Sequence, residues 1–346
     1  MLICVTGGTC FVGAHSVAAL VRSGARVRLL VRDPSGVDQA LRPLGVAPAS
    51  LEVVVGDVTD RIAVAKAVDG VDAVLHAASV YSFDSRRRAE MRRTNVRGTQ
   101  LVLGSAVRAG VDPIVYVSTV GAMYPAAGSV IRADSPLGMP REAYLASKSV
   151  AEAVARLHQE EGAPVVIAYP PALLGPHDPH MGDQSARLRN ALRGLFPIWP
   201  GGGFPMGDVR DTAELLAALL AKPAGERERH FGPNRYVTTR QYVEALRQAT
   251  GRALPAKFLP ARSILPFGML TDLLQRIWPW HIPAEYGAVY TCAHATPVDA
   301  SASTYGIAPR PISDTMADSV RWLYESGHVS ARQAGLASRV LEEPST

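Results

Sequence analysis

The feature that most constrains this chain is a glycine-rich turn placed directly after a short apolar run at its start. Leu2–Val5 is apolar throughout, and Thr6-Gly7-Gly8-Thr9-Cys10-Phe11-Val12-Gly13 leads into Val12–Arg22, a stretch with helical periodicity. Strand, glycine turn and helix in that order make a dinucleotide-binding unit. The glycines allow a tight turn and close approach of a phosphate to the backbone, and the helix N-terminus attracts its negative charge. A glycine turn alone is a weak signal; opening the first helix of a βαβ unit makes it a strong one, and a purely structural turn becomes the lesser reading.

The chain beyond the turn keeps that context. Runs rich in Val, Ile and Leu recur at Val27–Val31, Leu51–Val55, Ala73–His76, Ile114–Val117 and Val165–Ala168. Helical stretches lie between them at Ile62–Val68, Arg88–Ala109 and Ala143–Glu161. This alternation predicts an α/β Rossmann fold over residues 1–168, a doubly wound parallel sheet with helices on both faces. After Ala168 a series of prolines and the cluster Gly201–Gly203 break the rhythm. A smaller, mixed α/β substrate lobe is expected over 169–330, with a segment near 208–222 returning to the first domain. Asp211–Leu220, Thr239–Gln248 and Ser313–Glu325 read as helices, and the tail, 331–346, as a surface helix or disordered. Ile264–Trp280, including Trp278 and Trp280, is more apolar than a solvated loop needs. It suits a cap over a substrate pocket, with lobe core or a membrane contact as the other uses.

Composition narrows the functional classes. The formal charge of +5 suits an anionic cofactor, and the densest basic stretch, Arg86, Arg87, Arg88, Arg92 and Arg93, has no interleaved aromatics. It reads as a solvated helix face, and no nucleic-acid motif accompanies it. The three cysteines, Cys4, Cys10 and Cys292, match neither a metal site nor a disulfide framework, so no metal is expected and a reducing, cytoplasmic setting fits. No signal peptide is visible and no apolar run reaches membrane-spanning length, so stable membrane insertion is not expected.

Several residues cluster at the carboxyl ends of the expected strands, where doubly wound sheets hold their ligands. After the second strand come Arg32 and Asp33. An acid there holds the ribose 2′-hydroxyl of NAD, whereas an arginine accommodates the 2′-phosphate of NADP. Arg32 comes first, and Arg28 adds charge nearby, so NADP is the expected cofactor with NAD as the alternative. Asp57, with Val58 beside it, would accept the adenine amino group. Ala77, Ala78 and Ser79 would let backbone lie against the nicotinamide ribose, while His76 reads as a satisfied buried histidine. Tyr144 and Lys148 lie four residues apart at the start of a helix, on one face. A phenol is a poor acid/base at neutral pH, and a neighbouring ammonium would lower its pKa. Upstream, Ser118 or Thr119 would hydrogen-bond a substrate oxygen. Cys10 stands at a helix start, which would favour its thiolate; a small buried side chain is the alternative.

These motifs resemble the extended short-chain dehydrogenase/reductase superfamily, the NAD-dependent epimerase/dehydratase family. The resemblance spans roughly residues 2–176 and rests on the glycine turn, Gly56-Asp57, His76-Ala77-Ala78, Asn95-Val96-Arg97-Gly98-Thr99, Val117-Ser118-Thr119 and the Tyr144/Lys148 pair. It implies catalytic roles for Tyr144 as general acid/base, Lys148 as its partner and holder of the ribose, and Thr119 as the hydroxyl that orients the substrate oxygen. Asn95 would brace the helix beneath the site. The cofactor-binding set implied is Gly7, Thr9, Cys10, Phe11, Val12, Gly13, Arg32, Asp57, Val58, Ala77, Ala78, Ser79, Tyr144, Lys148, Pro170, Ala172 and Leu173. Two departures stand out. Cys10 occupies a position normally held by glycine, and Tyr169-Pro170-Pro171-Ala172 replaces the Arg-Pro and nearby Asn usual in sugar-nucleotide epimerases. Val31-Arg32-Asp33-Pro34 and Ser118-Thr119-Val120-Gly121-Ala122 look more like dihydroflavonol and cinnamoyl-CoA reductases.

The expected function is therefore hydride transfer between nicotinamide and a carbonyl or alcohol carbon of a small, apolar substrate. A sugar-nucleotide epimerase or dehydratase is the enzymatic alternative, and a non-catalytic dinucleotide sensor the alternative of another class. A small molecule is the expected partner, a homodimer an open assembly.

Overall fold

The computed structural model describes residues 1–275, 286–299 and 305–339. Seven strands form one parallel sheet: β1 (Leu2–Thr6), β2 (Arg26–Val31), β3 (Glu52–Val55), β4 (Ala73–His76), β5 (Ile114–Val117), β6 (Val165–Tyr169) and β10 (Arg229–Phe231), in the order β10-β6-β5-β4-β1-β2-β3. The order reverses between β1 and β4, so the helices that follow these two strands leave toward opposite faces and open a crevice at their carboxyl ends. Every sequence-expected strand of the first half appears within a residue or so of its expected bounds, because runs buried on both faces carry a clear apolar signature.

Helices cover both faces. On one lie α1 (Phe11–Arg22) and α2 (Gly36–Leu41), with α8 (Val209–Leu220) returning from far along the chain to bury Leu215, Leu216, Leu219 and Leu220 beside Val17 and Leu20. On the other lie α3 (Arg61–Val68), α4 (Arg88–Met91), α5 (Gly98–Arg108) and α6 (Ala143–Glu160), which close over Val74, Ile114, Tyr116 and Ile167. The expected single helix over Arg88–Ala109 is interrupted, since Arg92–Arg97 between α4 and α5 adopts a π-helical turn. Such turns insert one residue into the helical ladder and often occur at functional sites.

The remaining elements build a smaller lobe. β7 (Ala172–Leu174), β9 (Gly203–Asp208) and β11 (Arg235–Thr238) form a mixed three-stranded sheet, and β8 (Ile198–Gly201) pairs in parallel with β12 (Lys257–Pro260). Around them pack α7 (Asp183–Leu192), α9 (Thr239–Thr250), α10 (Ala261–Gln275), α11 (Tyr286–His294), α12 (Ile312–Glu325) and α13 (Ala331–Ala334). Their core joins Leu188, Trp199, Met206, Leu246, Val320 and Leu323. Ala334 and Ala337 are buried in that same core. The stretch expected to be a surface helix or disordered is thus, through residue 339, part of the lobe. Its two alanines carried too little apolar surface to announce it in sequence.

Candidate active site

The glycine turn forms as the spacing demands. Gly7 adopts φ +74°, and a Cβ added there would come within 2.6–2.8 Å of the Ala77–Ala78 backbone. A Cβ on Gly13 would lie 2.1 Å from the Gly7 carbonyl oxygen. The turn therefore sits flush against the loop after β4, drawing Ala77, Ala78 and Ser79 to the same edge. Thr6 supports this from beneath: its hydroxyl bonds His76 Nδ1 at 2.7 Å and accepts the Ala78 amide at 3.3 Å. His76 is fully enclosed, its Nε2 lies 3.0 Å from Thr99 Oγ1, and burial drives its pKa down to about 3. It is the neutral, satisfied histidine the sequence suggested.

Cys10 follows the reading as a small side chain rather than as a thiolate. Its backbone is extended, φ −93° and ψ 167°, a conformation open to any residue, so the missing glycine costs the turn no strain. Its thiol is not activated. Burial pushes the thiol pKa up, and the nearby Arg32 only partly opposes this. Cys10 is the N-cap of α1, makes no side-chain cap, and the first turn carries no acidic residue. The opening amides of α1 thus have no side-chain cap, and a helix N-terminus in that state is able to receive an anion.

At the end of β2, Arg32 is exposed. Asp33 bends back on its own turn, and the Ser35 hydroxyl, with the Ser35 amide that it accepts at 2.9 Å, holds its carboxyl below the ordinary range. Arg28 does not join this corner. It is tied to Glu52 at 2.8 Å and to the carbonyls of Ala67 and Asp69, at the amino edge of the sheet. Asp57 accepts both the Thr59 amide and hydroxyl at 2.8 and 2.6 Å. Burial would raise its pKa, but these bonds, with the fields of Arg32 and Arg93, lower it on balance. Val58 is buried against Gly98. Of the arginine stretch, Arg86 pairs with Asp84 and Arg87 with Glu90, a solvated face as expected.

The Tyr144/Lys148 pair opens α6. Glu142 caps this helix, its buried carboxylate accepting the Tyr144 and Leu145 amides at 3.0 and 2.8 Å. Lys148 is buried, donates to the Val117 carbonyl at 2.7 Å and lies 4.7 Å over the Tyr116 ring. Desolvation lowers its pKa to about 7, against a smaller pull from Glu152. Tyr144 goes the other way. Burial first, then Glu142 and Asp183, push its phenol above the ordinary value. The phenol is therefore raised rather than depressed in the protein as it stands, because removal from water disfavours its charged form.

The two hydroxyls after β5 separate. Ser118 turns inward and donates to Glu152 at 2.6 Å, in a buried network that also takes Tyr169 and Arg156. Thr119 caps the short turn over Val120–Met123, accepting the Gly121 amide at 3.3 Å. Asn95, in the π-turn, accepts the Val80 amide at 2.7 Å and the Ser79 hydroxyl at 3.1 Å, and donates to Ser147 at 2.9 Å. One side chain thereby ties the loop after β4 to the helix that carries Tyr144 and Lys148. Pro170 accepts the Val120 amide, while Ala172 and Leu173 continue from it into the small lobe.

An apolar cavity of about 610 Å³ lies between the two parts of the chain, lined among others by Phe83, Ala172, Trp199, Phe204, Ile264 and Phe267. Phe83 leads to Tyr144: Tyr81 packs edge-on against that ring at 4.7 Å, and Phe83 does so at 6.5 Å. The Phe83 amide donates to Asp183 at 2.9 Å. Sequence reasoning missed Tyr81, Phe83, Glu142, Glu152 and Asp183. Glu152 alone had a usable signal, lying one helical turn beyond Lys148. Ile264 and Phe267 line the cavity as the apolar stretch suggested; Trp278 and Trp280 lie outside the described residues.

Comparison with known proteins agrees with this geometry. Residues 3–232 match the NAD dependent epimerase/dehydratase family. The chain belongs to that family. It is 30% identical over 95% of its length to sterol demethylase protein B of Methylococcus capsulatus, covering all of that protein. It is also 30% identical to a putative dihydroflavonol 4-reductase of Synechocystis, over 95% of this chain and 96% of that one. The solved structure of gox2253 superimposes with a TM-score of 0.79 at 26% identity, covering 95% of this chain and 99% of that chain. The chain is an NAD(P)-dependent oxidoreductase of the short-chain dehydrogenase/reductase type. Among the described residues no helix is long and apolar enough to cross a membrane.

Proposed function

We propose that this protein is an NADP-dependent carbonyl reductase or alcohol dehydrogenase for a small apolar substrate. The observation that carries this reading is the apolar cavity lined by Phe83, whose ring lies 6.5 Å from that of Tyr144. Its volume falls within the roughly 300–1,000 Å³ usual for small-molecule sites. The similarity to a sterol demethylase component and to a dihydroflavonol reductase supports the same substrate class.

The residues present suit a bound dinucleotide: a cradle that a Cβ would fill at Gly7 and Gly13, open amides at α1, and Arg32 at the ribose corner with Asp33 turned away. Bound there, the nicotinamide supplies or accepts the hydride. In the reducing direction Tyr144 donates its phenolic proton to the carbonyl oxygen. The Lys148 ammonium stabilises the phenolate left behind, and the Thr119 hydroxyl orients the oxygen. Burial suits this division of labour, since it keeps Tyr144 protonated until an acceptor arrives.

An epimerase would have to hold a nucleotide diphosphate in the same cavity, where Arg187 is the one charged side chain among the described lining residues. The protein is proposed to work in a reducing cytoplasm, with three free cysteines, on a small molecule; a homodimer is the assembly to check by light scattering. The test of function is a panel of apolar ketones and aldehydes assayed by loss of NADPH absorbance, beside nucleotide-sugars. Turnover of apolar carbonyls is expected. Turnover confined to nucleotide-sugars overturns the proposal.

A further inference from the structure

The opening of the apolar cavity carries exposed apolar side chains. Leu195, Ile198 and Phe267 line the cavity and yet are 59%, 53% and 62% exposed. They therefore stand at its mouth, where inside and outside meet. Leu270, one helical turn beyond Phe267 on α10, is 51% exposed, and Met269 beside it 52%. Parallel pairing of β8 with β12 sets Lys257 directly opposite Ile198, so two distant segments form one rim. Scattered exposed apolar residues are ordinary, but a cluster contiguous with a ligand cavity marks an interaction surface.

The charges on that rim have one sign. Residues 193–201 and 256–270 contain Arg193, Lys257 and Arg262, all exposed, and no aspartate or glutamate. Arg193 donates to the carbonyl of His328, which leaves its charge uncompensated. Neither Lys257 nor Arg262 has a carboxylate partner among the described residues. Bulky apolar side chains with flanking cations and no anions complement the surface of an anionic bilayer, where apolar groups enter the acyl boundary and cations meet the headgroups.

We propose that the cavity mouth docks on an anionic lipid bilayer, so that an apolar substrate passes from the membrane into the cavity without crossing water. The proposal rests on the reading of an apolar substrate, but docking itself is measured apart from turnover. The purified protein is sedimented with phosphatidylcholine vesicles with and without phosphatidylglycerol. Binding should require the anionic lipid and be released by high salt. Leu270→Glu should weaken vesicle binding, and separately the pair Lys257→Gln and Arg262→Gln should weaken it on the order of fivefold for each positive charge removed. All three side chains are exposed and outside the cavity lining, so circular dichroism and turnover of a water-soluble aldehyde should be unchanged. The proposal is overturned if the native protein stays in the supernatant with anionic vesicles at low salt, or if the variants bind as well as it does. It is overturned equally if Leu270→Glu converts a solution dimer to monomers, which assigns this face to a second copy. Vesicle binding without turnover of any carbonyl overturns the apolar-carbonyl reading and leaves docking standing.

Discussion

The two walls of the cleft are built on opposite chemistry. The wall formed by the parallel sheet buries polar groups and partners them: His76 between two threonines, Asn95 between a loop and a helix, Lys148 on a backbone carbonyl, Glu152 with Ser118, Tyr169 and Arg156. The wall formed by the small lobe is mostly apolar, with Trp199, Phe204, Ile264 and Phe267 facing the cavity. A buried hydrogen-bonded network resists movement, because any displacement strands a polar atom. It therefore suits atoms that must keep fixed positions, those that hold a cofactor and move a proton. An apolar wall discriminates by shape and by exclusion of water, which suits the part of the site that varies with substrate. The difference teaches that chemistry and selectivity are carried here by different stretches of chain.

That division can be broken most directly at Tyr144, on the sheet side of the cleft. Tyr144→Phe should lower kcat by about 10²–10⁴-fold, the usual worth of a positioned acid/base, while NADPH binding measured by fluorescence stays near normal. A correctly folded variant with near-normal turnover would remove the proton-transfer role. The second effect belongs to the sheet wall alone. Arg32→Ala should cost NADPH binding about 1.5–3 kcal/mol and leave NADH nearly unchanged, as expected for one lost charge-assisted hydrogen bond. If the native protein binds NADH more tightly, Asp33 rather than Arg32 reads the ribose.

The third effect separates required from tolerated glycine positions within one turn. Gly13→Ala should destabilise by on the order of 1–3 kcal/mol, since its Cβ has no space beside the Gly7 carbonyl. Cys10→Gly should stay within about 0.5 kcal/mol. Thermal unfolding of the pair tests this, and equal melting shifts would refute it. Cys10, with its thiol pushed up, should also react slowly with alkylating reagents at neutral pH.

The smallest effect is a slope. A lysine whose pKa is lowered to about 7 is charged below that pH and neutral above it. If its ammonium stabilises the phenolate, kcat/KM for reduction should fall as pH rises through about 7. In Lys148→Arg the limb should disappear, because a guanidinium does not titrate there. A limb of the same position in that variant would assign the titration to another group.

Much of this was legible in the chain. The strands of the sheet were readable because residues buried on both faces must all be apolar. The glycine turn was readable because two of its positions admit no side chain. Tyr144 and Lys148 were readable because helical spacing alone puts them on one face. Less legible was which hydroxyl faces the cleft: Ser118 and Thr119 are adjacent and chemically alike, and only the position of Glu152 across the interface turns Ser118 inward. Arg28 and Arg32 were likewise indistinguishable as nearby charges until Glu52 drew the first to the far edge. The aromatic ring contacts around Tyr144 come from a loop sixty residues upstream, a pairing no local pattern encodes.

The sequence alone determined the elements, the glycine turn and the placing of Tyr144 and Lys148 on one helix face, since each rests on spacing within one short segment, where backbone geometry dictates which side chains meet. The tertiary structure decided the charge states and the shape of the substrate space. Burial of Lys148 and partial burial of Tyr144 depend on the loop after β4 and the end of β5 lying against them, and desolvation is a property of that enclosure. The cavity, too, exists only where Phe83, Ala172, Trp199 and Phe267, far apart along the chain, come to face one another.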